Sequence, residues 1–213
     1  MKKIIYTILI STLMTTNAFA KYVSNGFLVE EKNLDFSHTI RSGACKGTIP
    51  YPVLSHGDEE LIIQINDEIH DFVELYAVCN QGRRNHFSVE FDIPESDTKE
   101  HFSIRWITKR NDKSWRIDIL TFNRDTGAIL EVKDVFNMLS NHMMGEIVKL
   151  SDGHLSKSCK WEHFLDKVEK REVQFYIEKE QWFIVFNATP HRQNVVDVKI
   201  PEYFLKGGDH DRG

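Results

Sequence analysis

The amino-acid sequence predicts an α+β domain, in which an antiparallel sheet, built from a strand meander and a C-terminal hairpin, packs against about three helices. One helix is predicted after Asp58, which can cap it, because apolar residues recur at spacings of three and four from Leu61 to Tyr76. Strands are predicted where apolar and polar residues alternate, since alternation turns one face of a strand to the core. These alternating segments are residues 87–93, 102–106, 115–122 and 173–177, and two further strands are expected at 182–186 and 195–200.

The N-terminal third of the chain has a weaker pattern. Residues 21–44 are mixed, with Phe36 and Ile40 as possible strand positions. Residues 47–54 must be extended, because prolines at positions 50 and 52 forbid a helix and bias the residues before them toward β structure.

Two further helices are expected between the meander and the C-terminal hairpin. Asp134 can cap a helix that begins at Val135 and continues to about Leu150. A second helix is expected from Trp161 to about Lys170, where apolar residues again recur at helical spacing.

Residues 1–20 have the layout of a secretory signal peptide. Lys2 and Lys3 form a positive start, a short apolar stretch follows, and Ala18-Phe19-Ala20 matches a cleavage site. We therefore expect export to a periplasm or to the outside after cleavage behind Ala20, with no stable membrane insertion of the remaining chain. The expected organisation is a signal peptide at 1–20, one α+β domain at 21–206 and a flexible tail at 207–213.

Export changes how the three cysteines are interpreted, because disulfides form and persist in oxidising compartments. We predict a disulfide between Cys45 and Cys79, which flank the first helix in sequence. Such a bridge would contribute about 3–4 kcal/mol in the chain-entropy description. Spacing alone leaves Cys159 as an alternative partner for either cysteine.

The charge of the chain argues against one class of partner. The formal net charge is −5, and removal of the signal peptide, which carries two lysines and no acid, leaves −7. Nucleic-acid binding depends on Lys and Arg neutralising phosphates, so no nucleic-acid partner is expected.

No motif for a familiar catalytic or cofactor site is present in the sequence, and no cofactor is expected. The nearest approach to a metal site is the H-x4-C-x3-H spacing of His154, Cys159 and His163, residue types that zinc prefers. Asp152 lies near in the sequence, but the spacing establishes neither a fourth ligand nor a closed geometry, so we interpret the set as solvated histidines around a thiol, with metal binding as the alternative.

The order of the segments resembles a known family. The residues that carry the resemblance are Ile49 to Val53, the helix segment Ile65-Asn66-x-x-Ile69, Leu120 to Phe136, and the C-terminal segments 175–177, 183–186 and 196–201. Within the third of these, a strand leads through a D-x-G turn into L-x-V-x-D-V-F. The chain, over about residues 36–205, resembles the extracytoplasmic domain family of unknown function that forms the outer part of lysozyme-sensing anti-sigma factors and precedes some peptidoglycan deacetylase domains.

The resemblance implies a binding function and transfers no catalytic residue. The segment 187–194 departs from the family pattern, and the chain has no deacetylase motif. We expect an exported, non-enzymatic binding module whose partner is a protein, with lysozyme as the named candidate, or a cell-wall component such as peptidoglycan. The alternative is a cell-wall-acting hydrolase with an unrecognised arrangement of histidines and carboxylates. Its candidate residues are His70, His86, His101, Glu90 and Asp92.

Overall fold

The computed structural model describes most of residues 21–206. The gaps within that range are 41–42, 77–86, 97–98, 111–112, 137–140, 153, 156–172 and 188–194. The expected signal peptide, the expected tail and the helix expected from Trp161 lie outside the described residues. None of the described helices is both long enough and apolar enough to cross a bilayer.

Strands dominate the described part of the chain, where they form three antiparallel sheets of three strands each. The first sheet contains β1 (Lys21–Ser24), β2 (Phe27–Ile40) and β3 (Gly43–Ser55). The second contains β4 (Phe87–Asp92), β5 (His101–Arg110) and β6 (Lys113–Asn123), and the third β7 (Val173–Glu178), β8 (Gln181–Phe186) and β9 (Val196–Ile200). The helices are α1 (Glu59–Tyr76), α2 (Val132–Val135) and α3 (Asn141–Leu150), and a 3-10 turn spans Glu202–Phe204.

The first sheet is longer than the sequence pattern indicates. Instead of a mixed segment before an extended one, β2 and β3 pair in register from Leu28 with Ser55 to Ile40 with Gly43. The two prolines fit because β3 is an edge strand, where every second residue turns its backbone nitrogen away from the neighbouring strand. The described strands form three sheets, so the prediction of a single sheet is wrong for this part of the chain, although the α+β class holds.

The first helix is confirmed, and two contacts explain its position. Asp58 accepts a hydrogen bond from the backbone N–H of Leu61 at 3.0 Å, which is the expected N-cap. The Asn66 carboxamide bonds both the N–H and the C=O of Leu54, at 2.8 and 2.9 Å, and so holds α1 to β3.

The turn after β6 is confirmed, whereas the helix after it differs from expectation. Gly127 has a φ of 69°, which the D-x-G turn requires. Helix α2 then begins at Val132, three residues early, with Glu131 as its N-cap. The carboxylate of Asp134, the expected N-cap, accepts instead from the N–H of Glu131 at 2.8 Å.

The expected continuous helix from Val135 to Leu150 is interrupted at Phe136. Phe136 is extended, forms a bridge with Leu205, and is 2% exposed. Its ring packs edge-on against Phe175 and Trp182, at centroid distances of 5.5 and 6.2 Å. Burial of this ring against the third sheet outweighs helix continuation, so α3 starts separately at Asn141.

Two main cores follow from these layers. In the first core, α1 and the first sheet cover one face of the second sheet. On this face the ring centroids of Trp106 and Phe72 are 4.7 Å apart, and the Trp106 indole N–H donates a hydrogen bond of 3.2 Å to the Pro50 carbonyl. In the second core, α2 and α3 cover one face of the third sheet. A smaller cluster lies where the second and third sheets meet.

Candidate functional site

The second and third sheets meet at an edge-to-face joint. The outer edge of β7, opposite its partner β8, rests on the face of the second sheet. There the N–H of Ile177 donates to Ser103 Oγ at 3.1 Å, and Thr121 Oγ1 donates to the Phe175 carbonyl at 3.1 Å. The two hydroxyls are themselves 2.9 Å apart and buried. Two side-chain hydroxyls thus satisfy backbone groups that a neighbouring strand would otherwise satisfy.

The edge of β6 is completed in a similar way by two carboxamides. Gln174 accepts from the N–H of Ile119 at 2.7 Å and donates to the carbonyl of Ile117 at 3.0 Å. Asn187 accepts from the N–H of Ile117 at 2.7 Å and donates to the same carbonyl at 2.9 Å. Because an amide side chain carries one donor group and one acceptor group, it imitates a strand's backbone.

One side of this joint forms a partly exposed corner. Its floor is the buried set Ile117, Ile119, Tyr176 and Val185. Ile107 and Phe183 pack against that floor and are only partly buried. Neither α2 nor α3 covers this side, since both pack on the opposite face of the third sheet.

A stack of charged and aromatic groups crosses the corner. Arg105 binds the Asp92 carboxylate through two hydrogen bonds of 2.8 and 2.7 Å and lies 4.4 Å over the ring of Tyr176. Tyr176 stacks on Phe183 at 4.9 Å and donates its hydroxyl to Asp197 Oδ2 at 3.2 Å. The stack ties β4, β5, β7, β8 and β9 together.

The protonation of these groups follows from their surroundings. Burial raises the pKa of the Tyr176 hydroxyl, and the Asp197 carboxylate raises it further, so the phenol stays protonated and acts as a donor. Burial alone would lower the pKa of Arg105, but the hydrogen bond and charge of Asp92 outweigh it and raise that pKa. Arg105 is therefore a permanent cation, held by the Asp92 side chain.

Asp197 differs because burial is the largest influence on it. Loss of solvent raises the pKa of this carboxyl, although the Tyr176 hydroxyl and Arg105 act in the opposite direction. A raised native-state pKa means that the folded chain binds the proton more tightly than the unfolded chain. The resulting stabilisation is complete below the unfolded pKa and is lost as the pH rises through the folded pKa.

We expect Asp197→Asn to stabilise the chain progressively as the pH rises from acid to neutral. Asparagine stays neutral and its side-chain oxygen still accepts from Tyr176, so the variant avoids the cost of ionising residue 197 in the fold. Urea unfolding of both proteins at a series of pH values measures the difference. A difference that is constant with pH, or that grows as the pH falls, would contradict the assignment.

A second notable surface is the outer side of α1, which we call the acidic face: Glu60, Asp67, Asp71 and Glu74. Their spacings of seven, four and three place them along one line of the helix, and all four are exposed. Helix α1 contains no Lys or Arg. Ile63, which is 54% exposed, lies beside this line.

The candidate hydrolase residues do not converge where the structure describes them. His70 is exposed on α1, which packs on the face of the second sheet that carries Trp106. Asp92 and His101 belong to the opposite face, but the register places them four residues apart along β5, about 13 Å.

The two other members of that set that the structure describes have different neighbours. Glu90 forms an ion pair with Lys109. His101 lies 5.5 Å from the Trp182 ring, and burial lowers the pKa of its imidazole despite the charges of Glu100 and Asp125. His86 lies outside the described residues.

The metal and disulfide predictions are not decided by the described residues. His154 is exposed, whereas Cys159 and His163 lie in an undescribed segment. Among the residues that the structure describes, no three histidine, cysteine or acidic side chains are grouped to hold a metal ion. Cys45 belongs to β3 and Cys79 lies outside the described residues, so their disulfide stays a prediction.

Sequence reasoning missed the joint. Ser103 and Arg105 alternate with apolar residues, which predicted a solvated face, but this face meets the third sheet instead. Gln174 is a polar residue within a strand of otherwise apolar buried positions, and this was the signal that something polar had to be satisfied there.

Comparisons with known proteins give no family for the chain. No family model and no curated protein matches it. Among solved structures, the fold is similar to the crystal structure of a member of the DUF3298 family from Bacteroides fragilis NCTC 9343, at a TM-score of 0.46 and 13% identity. That match covers 84% of this chain and 94% of the other. A TM-score of this size assigns the chain to no family.

Proposed function

We propose that the chain is an exported, non-enzymatic binding module that captures a basic protein through the acidic face of α1. The observation that carries the proposal is the line of four exposed carboxylates on a helix that has no Lys or Arg. Charges arranged in this way attract an oppositely charged partner over several ångströms and steer it into contact. Lysozyme is a basic protein, and it is the partner that the sequence resemblance suggests.

Neighbouring exposed apolar side chains support a contact at the same surface. Ile63 and Leu75 are 54% and 75% exposed on α1. An interface needs apolar contact in addition to charge, because exposed ion pairs alone contribute little affinity. The acidic face and these two side chains together would supply steering and contact area.

We expect neutralisation of the acidic face by Glu60→Gln, Asp67→Asn, Asp71→Asn and Glu74→Gln to slow association with lysozyme at least about tenfold at low salt. The same change should flatten the dependence of the association rate on salt, since fewer charges steer the encounter. Biolayer interferometry at low and moderate salt measures both quantities.

The matched control removes four exposed carboxylates elsewhere, through Glu31→Gln, Glu95→Gln, Asp125→Asn and Glu202→Gln. It changes the net charge equally but leaves the acidic face intact, so its association rate should stay close to that of the parent chain. Equal slowing by both sets would show general attraction and refute a specific site. Failure of the parent chain to bind lysozyme at micromolar concentration would remove lysozyme as the partner.

The cell-wall alternatives are tested with the same two variants. If the parent chain and the acidic-face variant sediment equally with insoluble peptidoglycan, the chain binds a cell-wall ligand through a surface other than the acidic face. Release of soluble fragments from peptidoglycan would favour the hydrolase. Of the candidate acid–base residues in the described part of the chain, Glu90, Asp92 and His101 belong to one face of the second sheet, with His101 about 13 Å from Asp92 along β5, whereas His70 lies on the helix that covers the other face.

A further inference from the structure

The outer strand of the third sheet, β9, has a backbone edge without a hydrogen-bonded neighbour in the part of the chain that the structure describes. Among the described strands, β9 pairs only with β8. The N–H of Ile177 on β7 points away from β8, so its partner on β8 turns its backbone groups toward β9. Backbone direction alternates along each strand, and the register of β8 with β9 therefore turns the N–H and C=O groups of Asp197 and Lys199 away from β8. Outward N–H and C=O groups are a template for another strand.

We propose that two copies of the chain pair through this edge, antiparallel and centred on Val198, which joins their third sheets into one sheet of six strands. In this register Asp197 of each copy lies opposite the partner's Lys199. The outward backbone groups of both residues then complete four hydrogen bonds between the copies. The contact is symmetric, as expected for a dimer with twofold symmetry.

Charge selects this register over its neighbours. The strand reads Val196-Asp197-Val198-Lys199-Ile200, with opposite charges placed symmetrically about the centre. A shift of one pairing step in either direction would set Asp197 opposite a second Asp197, or Lys199 opposite a second Lys199, and like charges directly opposite each other destabilise a strand pair. The side chains of Asp197 and Lys199 lie on the same face of the sheet, and both keep contact with solvent, although their surroundings partly desolvate the Asp197 carboxyl.

The side chains next to this edge also suit a contact between copies. Leu150 ends α3, the helix that contacts β9, and is 44% exposed. Tyr203 follows β9 in the 3-10 turn and is 45% exposed. Pairing through β9 would bring the partner's copies of both side chains near this apolar surface. The Tyr176 hydroxyl occupies Asp197 Oδ2, which leaves Oδ1 for the partner's Lys199.

We expect sedimentation velocity to show a monomer–dimer equilibrium whose mean mass rises over about a hundredfold range of concentration, because a short strand contact gives a weak dimer. Lys199→Asp creates two like-charge contacts and should weaken the dimer at least about tenfold. The swapped chain D197K/K199D restores opposite charges across the pair and should recover dimerisation.

The swapped chain also loses the hydrogen bond from Tyr176 to Asp197, so a second variant that keeps this bond is needed. Lys199→Pro removes one outward N–H, which edge positions tolerate, and should abolish the dimer while far-UV circular dichroism stays unchanged. Equal mixing of the D197K and K199D chains should produce a heterodimer. A parent chain that is monomeric at every concentration would overturn the proposal, and so would a dimer that K199D and K199P leave unaffected.

Discussion

Gln174→Leu is expected to lower the free energy of unfolding by about 1–3 kcal/mol, because it leaves the buried N–H of Ile119 without its partner and removes one of the two hydrogen bonds to the Ile117 carbonyl. Gln174 is 8% exposed and bonds the N–H of Ile119 and the carbonyl of Ile117. Leucine has a similar volume but can neither donate nor accept, so the loss reflects hydrogen bonding more than packing. Urea denaturation followed by circular dichroism measures the change.

Gln181→Leu is the matched control for this substitution. Gln181 begins β8 in the same sheet and is exposed, so the identical chemical change there should alter stability by less than about 0.5 kcal/mol. If the two variants unfold at the same urea concentration, the carboxamide of Gln174 does not complete the edge of β6 in solution.

Trp106→Ala is expected to cost about 3–5 kcal/mol, because it opens a cavity where three layers meet. The side chain is fully buried, contacts Phe72 on α1 and donates to the Pro50 carbonyl on β3. It therefore links the second sheet to both elements that cover it. Thermal or urea unfolding of the purified variant measures the loss.

Two variants separate the contributions of Trp106. Trp106→Phe keeps an aromatic ring near Phe72 but removes the indole donor, and should cost clearly less than the alanine variant. Leu75→Ala truncates a side chain that is 75% exposed and should change stability by about 0.5 kcal/mol or less. A cost for Trp106→Ala no larger than that for Leu75→Ala would contradict the described core.

Sequence periodicity predicted the elements in which apolar residues recur at a regular spacing. Helix α1 and strands β4 to β9 lie within a few residues of their expected positions, because one face of each is apolar. Strand β2 was not predicted, because its inward-facing positions switch from odd to even residue numbers along the strand. Phe27 and Val29 are buried, whereas further along Leu34 and Phe36 are the partly buried residues. Between them Glu31 to Asn33 are all exposed, so no simple alternation is present.

Long-range contacts explain what the sequence could not predict. The division into three sheets depends on the joint, where Gln174 meets residues 55 to 57 positions earlier in the chain. Phe136 is similarly extended where a helix was expected, because its ring packs on Phe175 and Trp182, which lie far from it in the sequence. The acidic face was not predicted from the sequence, although its four acids lie within the helix that the apolar spacing predicted.

The edge-to-face joint also constrains how this chain can change during evolution. A strand that borders another strand tolerates many side chains, because its backbone makes the bonds. Here the side chains of Ser103, Thr121, Gln174 and Asn187 make them, so each of these positions admits few replacements. If these polar residues prove invariant among descendants of this sequence, the reason is their structural role at the joint, and their invariance would not indicate a catalytic site.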